Sequence, residues 1–358
     1  MRPAYSVRVE RDHLDSTRDV LERCAALGFA AAGVCAAEPS GQAERLHEWL
    51  ERGYAGSMQW MSEREEMRSD VRTLLDGARS VVMVADLYAR RGSEDTARAG
   101  FGRVARYARG RDYHKVLKKR LHQLCDALAE MHPGAKFRAF VDTAPVMERE
   151  LAARCGIGWQ GKHTLTIHPT LGSWFLLGGI ITTLELTVPE DQPTAVDHCG
   201  TCTRCIDACP TGAIEAYVVD GSRCISYLTI EHREVIDPEL ARAMGDWIFG
   251  CDICQEVCPH NSEREDGLTA EPNPAYEPMR DGFDLLEVLG WIEEDRREAF
   301  VGSAMKRAKL EMMRRNAAIA AANGLEGETS PELRGALERI AGDEDEVEMV
   351  RVGAGLKK

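Results

Sequence analysis

Seven cysteines in two short runs constrain this chain more than any other feature: Cys199-x2-Cys202-x2-Cys205-x3-Cys209-Pro210 and Cys251-x2-Cys254-x3-Cys258-Pro259. The first run has the spacing of bacterial ferredoxins, in which three close cysteines hold one 4Fe–4S cluster and the fourth reaches across to another. The second run supplies the reciprocal half but lacks the first member of its triplet. Cys224, between the runs, fills that vacancy. Two cubanes are therefore expected, one on Cys199, Cys202, Cys205 and Cys258, the other on Cys209, Cys224, Cys251 and Cys254. Pro210 and Pro259 restrict the backbone just after the crossing ligands.

Two zinc sites can also use eight thiolates, but the ferredoxin spacing favours clusters. Disulfides fit less well, because the polar, acid-bearing start of the chain gives no sign of a leader, and cytosolic thiols stay reduced. The expected setting is the cytoplasm. The most apolar stretch, residues 175–181, is followed closely by Glu185 and reads as a core strand rather than a membrane span. Cys24, Cys35, Cys125 and Cys155 lie in apolar or helical contexts and read as buried thiols.

The formal charge of -14 argues against nucleic acid only if charge is spread evenly. It is not. Arg103, Arg106, Arg109, Arg111, Lys115, Lys118, Lys119 and Arg120 form one basic tract, and Lys306, Arg307, Lys309, Arg314 and Arg315 another. These tracts offer an anion-binding face or a solvated helix surface.

Residues 1–190 alternate helical and strand patterns. Helix is expected over 15–27 and strand over 28–34, 80–87 and 137–141. Leu117, Leu121, Leu124, Leu128 and Met131 recur at helical spacing and predict a basic helix over 113–131. Thr143-Ala144-Pro145 reads as a cap and first-turn proline opening a helix that stops at Gly156. Residues 175–188 supply a further strand, and 189–197 a linker. A short helix over 238–244 returns Cys251 to Cys224. Helices are expected over 285–289, 298–305, 314–322 and 331–340, in paired helical repeats, with a mobile acidic tail. The fold class is α+β, with segments 1–190, 191–270 and 271–358.

Two nearby clusters are electron relays by default, so the large first segment should hold the acceptor or a second redox centre. Gly156, Gly158 and Gly161 imitate a dinucleotide fingerprint but follow a helix, where that motif follows a strand. Asp142 ends an apolar strand, a position that faces the ligand crevice of an open sheet. It reads as a helix cap, as a carboxylate orienting a donor, or as a desolvated general acid. Tyr107, Tyr113 and His114 flank the basic tract and could reach a cofactor.

Several ordered motifs go beyond the cysteines: Tyr107-Ala108-Arg109-Gly110-Arg111-Asp112-Tyr113-His114, Val141-Asp142-Thr143-Ala144-Pro145, Gly156-Ile157-Gly158-Trp159-Gln160-Gly161-Lys162, Gly172-Ser173-Trp174 and Trp247-Ile248-Phe249-Gly250-Cys251-Asp252-Ile253-Cys254-Gln255. Residues 224–232 and 303–309 continue the series. Together they resemble the epoxyqueuosine reductases over roughly residues 15–325. That resemblance implies a cobalamin-binding α/β-type first domain, a ferredoxin-like domain with two 4Fe–4S clusters, and C-terminal HEAT-like helical repeats. It implies reductive deoxygenation of epoxyqueuosine to queuosine at the tRNA wobble base, the last step of queuosine biosynthesis.

By the same resemblance Asp142 matches the proton donor. Tyr107, Tyr113, His114, Asp142, Trp159, Lys162, His163, Ser173, Ser226, Gly250 and Asp252 border cobalamin. Tyr227, Thr229, Glu231, His232, Arg233, Lys306, Arg307 and Lys309 face the tRNA anticodon stem-loop. The implied partners include a low-potential donor such as flavodoxin or ferredoxin; no membrane is involved and the chain is expected to be a monomer. Two departures stand out: His163 where the family commonly has Asn, and Glu234 where it commonly has Gly. Reductive dehalogenation and plain electron carriage are the competing readings.

Overall fold

A computed structural model describes residues 4–92, 95, 98–263, 270–324 and 330–356. At its centre lies a four-stranded, wholly antiparallel sheet in the order Ala31–Ala36, Ser80–Leu87, Phe175–Thr182, Phe137–Phe140. An antiparallel sheet settles the class as α+β. Every residue of Ser80–Leu87 is buried, because the strand is covered on both faces. Val82 and Val84 point into one core, while Val81, Met83, Ala85 and Leu87 point into the other, the alternation a pleated strand imposes.

The Tyr113–Met131 helix covers the first face with Leu117, Leu121, Leu124 and Leu128, all essentially buried. Asp112 caps it by accepting the His114 backbone N–H. The helix comes close because Gly178 offers no side chain: a Cβ there would meet Leu117 and Leu121 at 3.0–3.2 Å. The short Glu148–Arg154 helix packs on the second face. Residues 189–197 do form an irregular connection, and Gln192 pairs with both backbone groups of Val34, covering the free edge of the sheet.

A second sheet crosses the molecule. Phe101–Val104 pairs in parallel with Trp247–Phe249 and antiparallel with Gly282–Asp284, so each of the three expected segments gives it one strand. Beyond it lie the helices Leu285–Leu289, Glu293–Ala299, Leu310–Gly324, Pro331–Gly342 and Glu348–Ala354. Among the described residues no helix is long and apolar enough to cross a membrane.

Three expectations need correction. The helix expected from Thr143 starts at Glu148, because Asp142 takes a left-handed φ of 42° and residues 142–146 form turns. The helix expected over 298–305 is two pieces, Glu293–Ala299 and the 3-10 turn Ala304–Arg307, with Gly302 at φ 71° between them. The acidic tail is ordered as a helix: Val350 is fully buried in the core, and Glu346 accepts from both terminal nitrogens of Arg314.

Candidate active site and cluster-ligand loops

The eight cysteines lie in two neighbourhoods. Cys258 lies in the electrostatic field of Cys199, Cys205 and Cys202. With Lys162, His163 and His260, those four thiols line one cavity. Burial, then mutual repulsion, pushes the Cys258 thiol up to about 11. In the other group Cys251 lies in the field of Cys224 and Cys209, and Cys254 in that of Cys251 and Cys224. Burial, with those neighbours, raises Cys224, Cys251 and Cys254. None of the eight is in a disulfide. Buried sulfurs that resist ionisation together are what a cation-bearing cluster would draw out as thiolates, so the donor sets fit iron–sulfur clusters.

The second group is woven into the core. Gly250 takes φ 69°, and a Cβ there would sit 2.5 Å from that of Ala105, so only glycine permits the turn into Cys251. Its N–H donates to Thr229 Oγ1 at 2.9 Å. Between Cys251 and Cys254, Asp252 accepts the Arg106 backbone N–H at 2.8 Å. Burial raises the Asp252 carboxyl to about 6 against the opposing pull of Arg106 and Arg109. The fully buried Arg315 donates to the carbonyls of Leu228, His232 and Glu234, and Asn316 to those of Thr229 and Ile248. These bonds fix the Cys224–His232 stretch against the Leu310–Gly324 helix.

Asp142 forms the other pole. Its Oδ2 accepts from Tyr113 Oη at 3.0 Å and pairs with His114 Nε2 at 2.9 Å, while His114 Nδ1 pairs with Asp112 Oδ1 at 2.9 Å. Burial would raise the Asp142 carboxyl. Hydrogen bonds and charge from His114, the Tyr113 hydroxyl and Arg307 outweigh it and hold the group below its ordinary value. Burial likewise opposes charge on His114, yet Asp142 and Asp112 win and raise it. Desolvation therefore does not dominate at Asp142; its contacts favour the carboxylate, and those of His114 favour the charged imidazole. Tyr107 joins the two poles: its ring packs edge-on against Tyr113 at 5.9 Å and lies tilted against Phe249 at 6.4 Å, and its hydroxyl is raised by burial and by the charges of Asp142, Asp252 and Glu231.

The other expected residues divide by place. Lys162 and His163 line the cavity of the first thiol group, and Lys162 Nζ donates to the carbonyls of Gly200 and Cys202. Trp159 packs with Cys199 and Cys258. Ser173 Oγ accepts from Gln255 and Asn261, tying the central sheet to the Cys254–Cys258 loop. Ser226 is half-buried just after Cys224. Thr229 is fully buried and braces Gly250, and the buried Tyr227 hydroxyl accepts the Ser57 N–H, so neither presents a surface. Glu231 pairs with Arg307 at the rim. His232 is half-buried, while Arg233, Lys306 and Lys309 are exposed.

The basic tracts are not continuous faces. Arg103, Arg109 and Arg120 pair with Asp246, Asp95 and Asp86, Arg106 with Glu256, and Arg314 and Arg315 are committed as above. Arg111, Lys115, Lys118 and Lys119 remain exposed.

Three residues at the Asp142 pole carry no motif signal. Glu148 Oε1 is buried without a partner, and burial followed by the Asp142 charge raises its carboxyl to about 8. Arg68 Nε is likewise buried and unpartnered. Trp60, partly exposed, has the Arg68 guanidinium at 5.3 Å and that of Arg307 at 5.9 Å from its ring. An unsatisfied buried donor on Arg68 and acceptor on Glu148, both within the field of Asp142, fit an amide-rich cofactor such as a corrin.

Residues 198–261 match the family described as "4Fe-4S double cluster binding domain", and residues 68–143 the one described as "Epoxyqueuosine reductase QueG, DUF1730". The chain is 41% identical to the epoxyqueuosine reductase of Leadbetterella byssophila over 309 residues, 85% of this chain and 98% of that one. It is 39% identical to the Escherichia coli epoxyqueuosine reductase over 307 residues, 85% of this chain and 80% of that one. Among solved structures, an epoxyqueuosine reductase holding an epoxyqueuosine-modified tRNA-Tyr stem loop superposes with a TM-score of 0.82 at 27% identity, covering 94% of this chain and 88% of that one. The Bacillus subtilis enzyme, with its catalytic aspartate loop swung out of the active site, superposes with a TM-score of 0.81 at 27% identity over the same shares of the two chains.

Proposed function

The chain belongs to the epoxyqueuosine reductase family, and on that premise we propose that it removes the epoxide oxygen of epoxyqueuosine in a tRNA anticodon stem-loop, giving queuosine. The balance is one epoxide, two electrons and two protons to one alkene and one water. Two 4Fe–4S clusters and a corrin cobalt, when bound, supply the electrons and the chemistry that opens the carbon–oxygen bond. Cys199, Cys202, Cys205 and Cys258 would hold one cluster, and Cys209, Cys224, Cys251 and Cys254 the other. Tyr107, Tyr113, His114, Asp142, Ser226, Gly250 and Asp252 would border the corrin.

One observation carries the reading. Asp142 stands on a strained left-handed turn with its carboxylate held by His114 and Tyr113, and the second thiol group lies across Tyr107. Cleavage develops negative charge on oxygen, which a positioned acid quenches. The His114–Asp142 pair stores that proton: His114 keeps it until charge builds on the oxygen beside Asp142. Tyr113 fixes the carboxylate in line.

Arg233, Lys306, Arg307 and Lys309 give the rim positive charge for the RNA backbone, while a single-stranded loop lets the modified base enter. The partly exposed Trp60 offers a ring on which a base can stack. We further read the helices from 285 onward as HEAT-like repeats, the chain as a cytoplasmic monomer, and its donor as a flavodoxin or ferredoxin.

The test supplies cobalamin to protein purified without oxygen, then adds a reduced donor and epoxyqueuosine-bearing tRNA. Nucleoside mass spectrometry should show loss of one oxygen only when the corrin is bound. Intact clusters and bound corrin without that mass change would overturn the reading.

A further inference from the structure

His163 stands between the paired strands Trp159–Gln160 and Thr166–Ile167 and is 3% exposed. Its Nδ1 accepts the Leu165 backbone N–H at 3.2 Å. An imidazole that accepts at Nδ1 carries its proton on Nε2. That nitrogen is buried and has no partner in the protein. The ring lines the cavity bounded by Cys199, Cys202, Cys205 and Cys258.

A buried donor left without an acceptor costs about 1–3 kcal/mol, so one in a native site calls for an acceptor that arrives with a ligand. Two more stand on the same hairpin. Trp159 Nε1 and Thr166 Oγ1 are also buried and unpartnered, and Trp159 packs with Cys199 and Cys258. The second thiol group has a different wall, where Gly250 N–H and the Asp252 carboxylate are already satisfied inside the protein.

We infer that His163 Nε2–H donates a hydrogen bond to a sulfur of the cluster held by Cys199, Cys202, Cys205 and Cys258, and thereby raises that cluster's reduction potential. The inference rests on reading those four cysteines as ligands. One-electron reduction takes the cluster from its 2+ to its 1+ state and places the added charge largely on its sulfurs. A fixed N–H stabilises the reduced form more than the oxidised one. Sequence around this cluster therefore tunes electron entry, separately from the chemistry at Asp142.

His163→Phe removes the donor and keeps a ring; His163→Asn keeps an N–H donor. Each two-cluster holoprotein is titrated anaerobically with reductant and followed by EPR, with iron and acid-labile sulfide counted in the same samples. The Phe variant should shift the reduction equilibrium of one cluster about tenfold toward the oxidised form, 59 mV for a one-electron couple. The other cluster should not move, and Asn should recover most of the shift. Full iron with both potentials unchanged in the Phe variant overturns the inference.

A second readout needs no stable Phe variant. Wild-type protein labelled with 15N-histidine should show nitrogen and exchangeable-proton couplings to the reduced cluster by pulsed EPR, and His163→Asn should lose the nitrogen coupling. Their absence in the wild type overturns the hydrogen bond. A wild type that assembles only one cluster overturns the ligand reading instead.

Discussion

The two thiol groups are chemically alike yet built differently. Cys199 and Cys202 sit on loops tethered by Lys162 and a short hairpin. Cys224, Cys251 and Cys254 lie between a sheet and a buried helix, with the neighbouring polar groups of Gly250, Thr229 and Asp252 satisfied by protein. Three unpartnered polar atoms, on Trp159, His163 and Thr166, lie on the hairpin beside the first group, whereas beside the second only the Trp247 indole N–H is in that state and a frame of backbone bonds holds the rest. The contrast is one of construction: the group that faces Asp142 through Tyr107 is framed by backbone bonds to the sheet and the buried helix.

The largest test of that contrast is a pair of ligand deletions. Cys254→Ala should abolish turnover and lower thermal stability, while Cys202→Ala should lose half the iron with little change in melting. Equal melting losses would break the contrast. Next, Asp142→Asn should keep all iron and lose about 10²–10⁴ in rate, measured by single-turnover nucleoside analysis; parental turnover would remove Asp142 from the chemistry. Arg315→Met should cost about 3–5 kcal/mol, because it strips the donor from three backbone carbonyls around the second group. Denaturant melts of the cluster-free protein would check it.

The smallest effect is a pH dependence. Glu148 keeps its proton in the folded protein up to about pH 8, against an ordinary value of 4.5. Between those values the unfolded chain has released the proton and the folded chain has not, so rising pH favours unfolding across the window. Glu148→Gln should be nearly neutral at pH 4.5 and increasingly stabilising as the pH rises toward 8. Equal shifts in Tm at both ends would show that Glu148 titrates normally.

The ligand runs were legible because short turns demand fixed spacing, and the Tyr113–Met131 helix because four leucines and a capping aspartate mark it. The Ser80–Leu87 strand was equally plain, being apolar along its length. The turn at Asp142 was not. Thr143-Ala144-Pro145 imitates a helix start, and nothing local announces a positive φ at an aspartate. The basic tracts misled for a related reason: arginines adjacent in sequence find acids far away, Arg103 with Asp246 and Arg120 with Asp86. Glu148 had no signal at all, since its altered acidity comes from burial and from Asp142, both products of folding.

The sheet that takes a strand from each third of the chain has a consequence for biogenesis. Phe101–Val104 cannot complete its pairing until synthesis has passed Asp284, and the arginine that braces the Cys224 stretch follows later still. Such distant pairings close slowly and near the end of folding. The pocket around Cys224, Cys251 and Cys254 is therefore complete only once Arg315 is in place, so its assembly waits on contacts far along the sequence.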